Sequence, residues 1–201
     1  YKRQVPDGPE RAVMANSFGV PSLPPSEWKR DVARAKRALH PGQILVVSVI
    51  ATPPPGDPSE QVLIDDYVSV AKSAVEAGAD IVELNFSCPN TPGNRAGDVY
   101  HDPILSGRIS HAVKSAIGAT PLFVKIGYLP RHELVEFVRH NQLNVQGIVA
   151  INTIAMRVEL PTSDSELAFP GRERAGISGA AIRQWAMEVV SNLLDIRKEV
   201  W

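Results

Sequence analysis

Cys88 is the only cysteine in 201 residues. One thiol cannot form an internal disulfide or supply a metal cluster, and it fits a reducing compartment, so a cytoplasmic location is expected. No apolar run approaches the ~18 to 20 residues that cross a bilayer, so no membrane span is expected in these residues. Basic blocks are missing too. The 21 Lys+Arg against 22 Asp+Glu leave a net charge of -1, which offers a polyanion no electrostatic footprint, so no nucleic-acid partner is expected. The opening "YKRQVPDGPE" has no signal-peptide hydrophobic core. No G-x-G-x-x-G follows the first β-rich run, which removes the main support for a dinucleotide-binding Rossmann unit. The histidines lack ligand spacing, and no metal site is expected.

What is present is a repeated pattern. Short β-rich runs occur at 12–17 (AVMANS), 44–50 (ILVVSVI), 80–87 (DIVELNFS), 121–127 (PLFVKIG) and 147–153 (GIVAINT). Amphipathic stretches follow most of them, at 26–39, 59–80, 103–117, 131–140 and 179–199, and Gly78 stands where a helix stop belongs. Runs that are apolar at nearly every residue must be covered on both faces, as parallel strands of a β/α array are. The expected class is therefore α/β with parallel strands.

The strand ends differ from the strand bodies. Asn16 and Ser17 close the first run, Ser48 the second, Asn85 the third, Lys125 the fourth, and Asn152 with Thr153 the fifth. In β/α barrels and open α/β sheets the chemistry lies at the carboxyl ends of strands, where loops converge over a rigid base. A lone asparagine at such a place is often only a turn former or cap; amides and an ammonium on four strands argue for a site. Cys88 directly follows one of these ends, in "ELNFSCPNTPG" (83–93). By itself a free cysteine is usually a small core hydrophobe. A thiol with an ordinary pKa of about 8.5 is also a far better general base near neutrality than a serine hydroxyl, and Pro89 biases Cys88 toward an extended backbone that holds the sulfur in place.

"ELNFSCPNTPG", "NSFGVPS" (16–22), "PLFVKI" (121–126), "INTIAMR" (151–157) and "GISGAAI" (176–182) together resemble the dihydroorotate dehydrogenase family, in its order and at about its spacing. The resemblance implies a (β/α)8 TIM barrel, of which residues 1–201 cover about five central β/α units as a single partial domain. The family's first and last strands find no counterpart here, so unpaired strand edges are expected. It also implies an FMN-dependent oxidoreductase acting on a CH–CH bond, which takes dihydroorotate to orotate in pyrimidine biosynthesis. In such enzymes a base removes the C5 proton while hydride passes from C6 to flavin N5. The base is a cysteine in class 1 members, and Cys88 matches it. By the same matching Asn16, Asn85, Asn90, Asn152 and Thr153 are expected to grip the pyrimidine. Lys125, Asn85, Gly176, Ser178 and Gly179 are expected beside the flavin, and related soluble enzymes imply a possible homodimer.

Elementary chemistry agrees with that assignment. A ring with alternating carbonyls and N–H groups presents donors and acceptors along its edge, and an asparagine side chain offers both. A cation fixed at a strand end stabilises negative charge developing on a reduced flavin; its structural alternative is an ion pair with Glu83. The loop 90–102 has the length and the glycines of a lid, or of a plain surface connection. The stretch 157–179 reads as a long polar excursion ending in a glycine-flanked turn, with Ser178 capping a helix from 179. Two rival readings remain at this level: a flavin barrel acting on a uracil-type dihydropyrimidine, and a flavin-free remnant serving as a binding module.

Overall fold

The structure is a computed structural model that describes residues 11–53, 59–88, 95–159 and 167–200. Among the described residues, seven strands and five α-helices run in the order β1 (Val13–Asn16), α1 (Pro25–Ala38), β2 (Val46–Val49), α2 (Glu60–Ala77), β3 (Ile81–Asn85), α3 (Pro103–Ile117), β4 (Leu122–Lys125), α4 (Arg131–Asn141), β5 (Gly147–Val149), β6 (Ile154–Arg157), β7 (Arg174–Gly179) and α5 (Arg183–Val200).

Strands β2 to β5 make a parallel sheet in chain order, each joined to the next by a helix. Register sorts its side chains into two faces. Val47, Val82 and Leu122 form one row, and Val49, Leu84, Val124 and Ile148 the next. These rows pack under α2, α3 and α4, against residues such as Leu63, Ile109, Leu134 and Phe137, which are fully buried. Burying each such side chain contributes about 1.5–3 kcal/mol, so this face anchors the array. The opposite face carries Ser48, Glu83 and Phe123 in one row, and Asn85, Lys125 and Val149 in the next.

Local signals set the helices. The Ser59 hydroxyl accepts from the Val62 amide at the start of α2, and the helix ends at Gly78 with φ 111°. Asp102 accepts from the Leu105 amide at 3.0 Å ahead of Pro103, which occupies the first turn of α3. Helices α3 and α4 are joined by a buried polar network. Asn141 donates to the Ser106 hydroxyl at 2.9 Å and the Phe137 carbonyl at 2.8 Å, and it accepts from the Ser110 hydroxyl at 2.7 Å. At the start of the sheet, Asp80 accepts from Lys36 and, at 2.7 Å, from the Leu45 amide, fastening α1 to the entries of β2 and β3.

Three expectations need correction. The run at 12–17 is not a parallel strand of the array. It is β1, and it pairs antiparallel with β7 in a separate sheet of order β1-β7-β6. Met14 is exposed, so this strand is not covered on both faces. The stretch 157–179 does not end in a glycine-flanked turn either, because its last six residues are β7, which pairs antiparallel with β6, the two joined beyond their ends by a bridge between Glu159 and Leu167. Finally, Ser178 does not cap a helix from 179. It lies inside β7, its hydroxyl donating to the Met14 carbonyl at 3.4 Å, and α5 begins only at Arg183 after a 3-10 turn at Ala180–Ile182.

Gly179 owes its identity to this pairing. Its φ is 84°, and a Cβ there would sit 2.2 Å from the Ala12 carbonyl oxygen. No other residue fits so close to that backbone.

Candidate active site

The last residues of β3 and β4 stand side by side, Asn85 opposite Lys125. The chain then continues from β3 through Phe86, Ser87 and Cys88, and from β5 through Ala150 and Ile151 to Asn152. Backbone bonds knit these exits together. The Phe86 amide donates to the Lys125 carbonyl at 3.0 Å, the Ile126 amide to the Val149 carbonyl at 3.0 Å, and the Asn152 amide to the Ile126 carbonyl at 2.9 Å. Polar side chains from three strands therefore meet because the strands end at one level.

They meet on Ser87, which is buried. Its carbonyl oxygen accepts from Lys125 Nζ at 3.2 Å and from Asn152 Nδ2. Its amide donates to Asn85 Oδ1 at 3.2 Å, and the same oxygen accepts from Lys125 Nζ at 3.3 Å. Asn152 Oδ1 accepts from the Thr153 amide at 2.8 Å, which leaves the Asn152 amide held at both ends. Cys88 follows directly, 7% exposed, its amide donating to the Gly97 carbonyl at 2.8 Å.

Lys125 does not form the alternative ion pair with Glu83. Its hydrogen bonds go to Asn85 and Ser87, while Glu83, one row deeper, accepts from the Ser48 hydroxyl at 2.7 Å. Burial lowers the Lys125 pKa from the ordinary lysine value, and electrostatic interaction with the neighbouring Glu83 carboxylate acts against that shift. Both hydrogen-bond acceptors of Lys125 are neutral oxygens.

The second group of expected residues stands in the other sheet. Asn16 pairs with Gly176, and Gly176 with Ala155; Met14 pairs with Ser178 and Val13 with Gly179. The two groups are continuous along the chain, since Thr153 leads straight into Ile154 of β6. Adjacent strands lie about 4.8 Å apart, which sets Asn16 roughly 10 Å across the sheet from Ala155. Beside Asn16, Ser17 Oγ is buried with no hydrogen-bond partner among the described residues. Asn90 lies outside the described residues.

Two aromatic residues were not singled out by the strand-end pattern. The Tyr100 phenol hydrogen-bonds Ser87; burial, then the nearby Asp98 charge, pushes its pKa up, while the Ser87 bond acts the other way. Tyr67 lies fully buried in mid-α2, edge-on to Phe86 with ring centroids 5.5 Å apart. On the sequence both look like core residues of a helix or loop, because their one polar atom is invisible to a hydrophobic period. Among the described residues no group of histidine, cysteine and carboxylate side chains is arranged to hold a metal ion, and no helix is long and apolar enough to cross a membrane.

The motifs in this geometry match a family model described as dihydroorotate dehydrogenase over residues 7–200. The chain belongs to the dihydroorotate dehydrogenase family. Among its relatives, the dihydroorotate dehydrogenase of Dictyostelium discoideum is 31% identical over 199 residues, covering 97% of this chain and 52% of that protein. The catalytic subunit of dihydroorotate dehydrogenase B (NAD(+)) of Methanocaldococcus jannaschii is 28% identical over 183 residues, 90% of this chain and 54% of the subunit. A dihydroorotate dehydrogenase (quinone) of Halobacterium salinarum is 38% identical over 134 residues, 63% of this chain and 34% of that protein. The chain thus spans about half the length of the first two relatives. The parallel array β2 to β5 is accordingly a portion of the dihydroorotate dehydrogenase TIM barrel. Its helix-covered rows are the outer face of the barrel wall, and the Ser48–Glu83 and Asn85–Lys125 rows are the inner one.

Proposed function

We propose that this chain builds the pyrimidine-facing part of an FMN-dependent site that oxidises dihydroorotate to orotate. The observation that carries the reading is the convergence of Asn85, Lys125 and Asn152 on Ser87, the residue that precedes Cys88. Cys88, as thiolate, takes the proton from C5 of the substrate. Asn16, Asn85, Asn90 and Asn152 offer amides to the carbonyl and N–H edges of the ring, with the Thr153 hydroxyl beside them. The Ser17 hydroxyl next to Asn16, which has no hydrogen-bond partner among the described residues, fits a polar ligand atom.

Lys125, Asn85, Gly176, Ser178 and Gly179 are the residues that would hold the flavin, and the partly desolvated ammonium of Lys125 suits its electron-rich end. When bound, FMN supplies the acceptor for the hydride that leaves C6, which completes the C5=C6 double bond. The test is Cys88→Ala in the purified chain with added FMN and dihydroorotate, followed by bleaching of the flavin absorbance. Loss of a general base slows reduction by about 10²–10⁴-fold. Reduction at the wild-type rate removes Cys88 as the base.

A further inference from the structure

Tyr67 is two turns into α2, yet its hydroxyl reaches the far end of β3. It lies 3.1 Å from the Asn85 carbonyl oxygen and 3.1 Å from the Ala96 carbonyl oxygen, so one O–H is shared between two acceptors. The Ala51 backbone, just past the end of β2, gives the same phenol a hydrogen bond. Burial pushes the phenol's pKa up, so the group remains a donor across the working pH range. Three chain segments are thereby tied at one atom: the exit of β2, the exit of β3, and the 3-10 turn Arg95–Gly97 that brings the chain back. The next residue of that turn, Gly97, accepts from the Cys88 amide at 2.8 Å. The ring itself packs edge-on against Phe86, between Asn85 and Ser87.

We infer that Tyr67 is a positioning residue, whose hydroxyl fixes Cys88 by clamping Asn85 on one side of it and the Ala96–Gly97 turn on the other. Hydrophobic burial accounts for the ring but not for the hydroxyl. A phenylalanine would fill the same space without drawing the two carbonyls together. The inference takes its functional meaning from the role proposed for Cys88, while its geometric content does not depend on that role.

Because Cys88 is the only thiol, alkylation by iodoacetamide reports on its setting alone. Tyr67→Phe, which keeps the ring, is compared with wild type and with Val113→Ala, a core truncation in α3 that loosens the fold elsewhere. Alkylation is expected to be about tenfold faster in Tyr67→Phe, equivalent to about 1.4 kcal/mol of lost restraint, and unchanged in Val113→Ala. Placing p-aminophenylalanine at position 67 restores a donor at the same reach and is expected to return the rate to that of wild type. An unchanged rate in Tyr67→Phe, or an equal rise in Val113→Ala, overturns the inference. Flavin reduction by dihydroorotate is then read on the same variant, with kcat expected to fall about tenfold and KM to hold. Faster alkylation with unimpaired reduction upholds the clamp and overturns the assignment of Cys88 as base.

Discussion

Replacing Lys125 with methionine is expected to leave stability almost unchanged while removing most of the flavin reduction. The ammonium makes two hydrogen bonds, at 3.3 Å to Asn85 Oδ1 and 3.2 Å to the Ser87 carbonyl. Both are longer than the 2.7–2.9 Å of strong charge-assisted pairs, so each contributes about 1 kcal/mol. Against this total of about 2 kcal/mol stands the cost of holding a charge partly out of water, which for a half-buried group is a fraction of the several kcal/mol of full burial, hence about 2 kcal/mol. The two cancel to within about 1 kcal/mol, or a few degrees in Tm for a chain of this size. In the proposed role beside the flavin there is no such compensation, because a fixed electrostatic donor of that kind contributes about 10²–10³ in rate. The pH dependence supplies a second check. Burial depresses the Lys125 pKa, so between the folded value and the ordinary value of about 10.4 the unfolded chain binds more protons, and wild-type stability rises with pH there relative to the variant. Thermal melts of both proteins at neutral and alkaline pH, with stopped-flow flavin reduction beside them, test each part. A stability loss above about 3 kcal/mol, a stability difference that does not move with alkaline pH, or undiminished reduction refutes the reasoning.

Two further outcomes follow from the scaffold. Asn141→Ala removes three hydrogen bonds from a buried network between α3 and α4. It is expected to lower stability by about 3 kcal/mol in urea unfolding, and a loss below about 1 kcal/mol would contradict the network's structural role. Asp80 has its pKa lowered chiefly by its hydrogen bond from Lys36, so its contribution is present above the ordinary carboxylate value of about 3.9 and disappears as pH falls through the lower folded value. Melting curves of Asp80→Asn should lie below wild type at neutral pH and converge with it in acid; a constant gap would assign the effect to something other than titration.

The parallel array was legible because its signals are local and redundant. β2 to β5 are continuous aliphatic runs, and α2 carries its own cap, its apolar stripe and its stop at Gly78. The strand-end rule then sufficed to bring Asn85, Lys125 and Asn152 to one level, because parallel strands in register end together. The antiparallel sheet was not legible. β1 and β6 are four residues each, too short for a period to reveal partner or direction, and β7 is rich in the small residues that read as a turn. Ser87 stood inside the most specific motif, yet its importance lies in a carbonyl oxygen, which every residue has. Tyr67 was hidden for the opposite reason, as its ring satisfies the helical apolar pattern so well that nothing marks the hydroxyl as engaged elsewhere.

The pairing of β1 with β7 has a consequence in time. Met14 and Ser178 touch across 164 residues of sequence, whereas each neighbouring pair of parallel strands is separated by a single helix. Closing the longer loop carries the greater entropic penalty and waits on the shorter ones. Pairing of β1 with β7, and with it the placing of Asn16, is therefore expected to follow assembly of the β3, β4 and β5 exits.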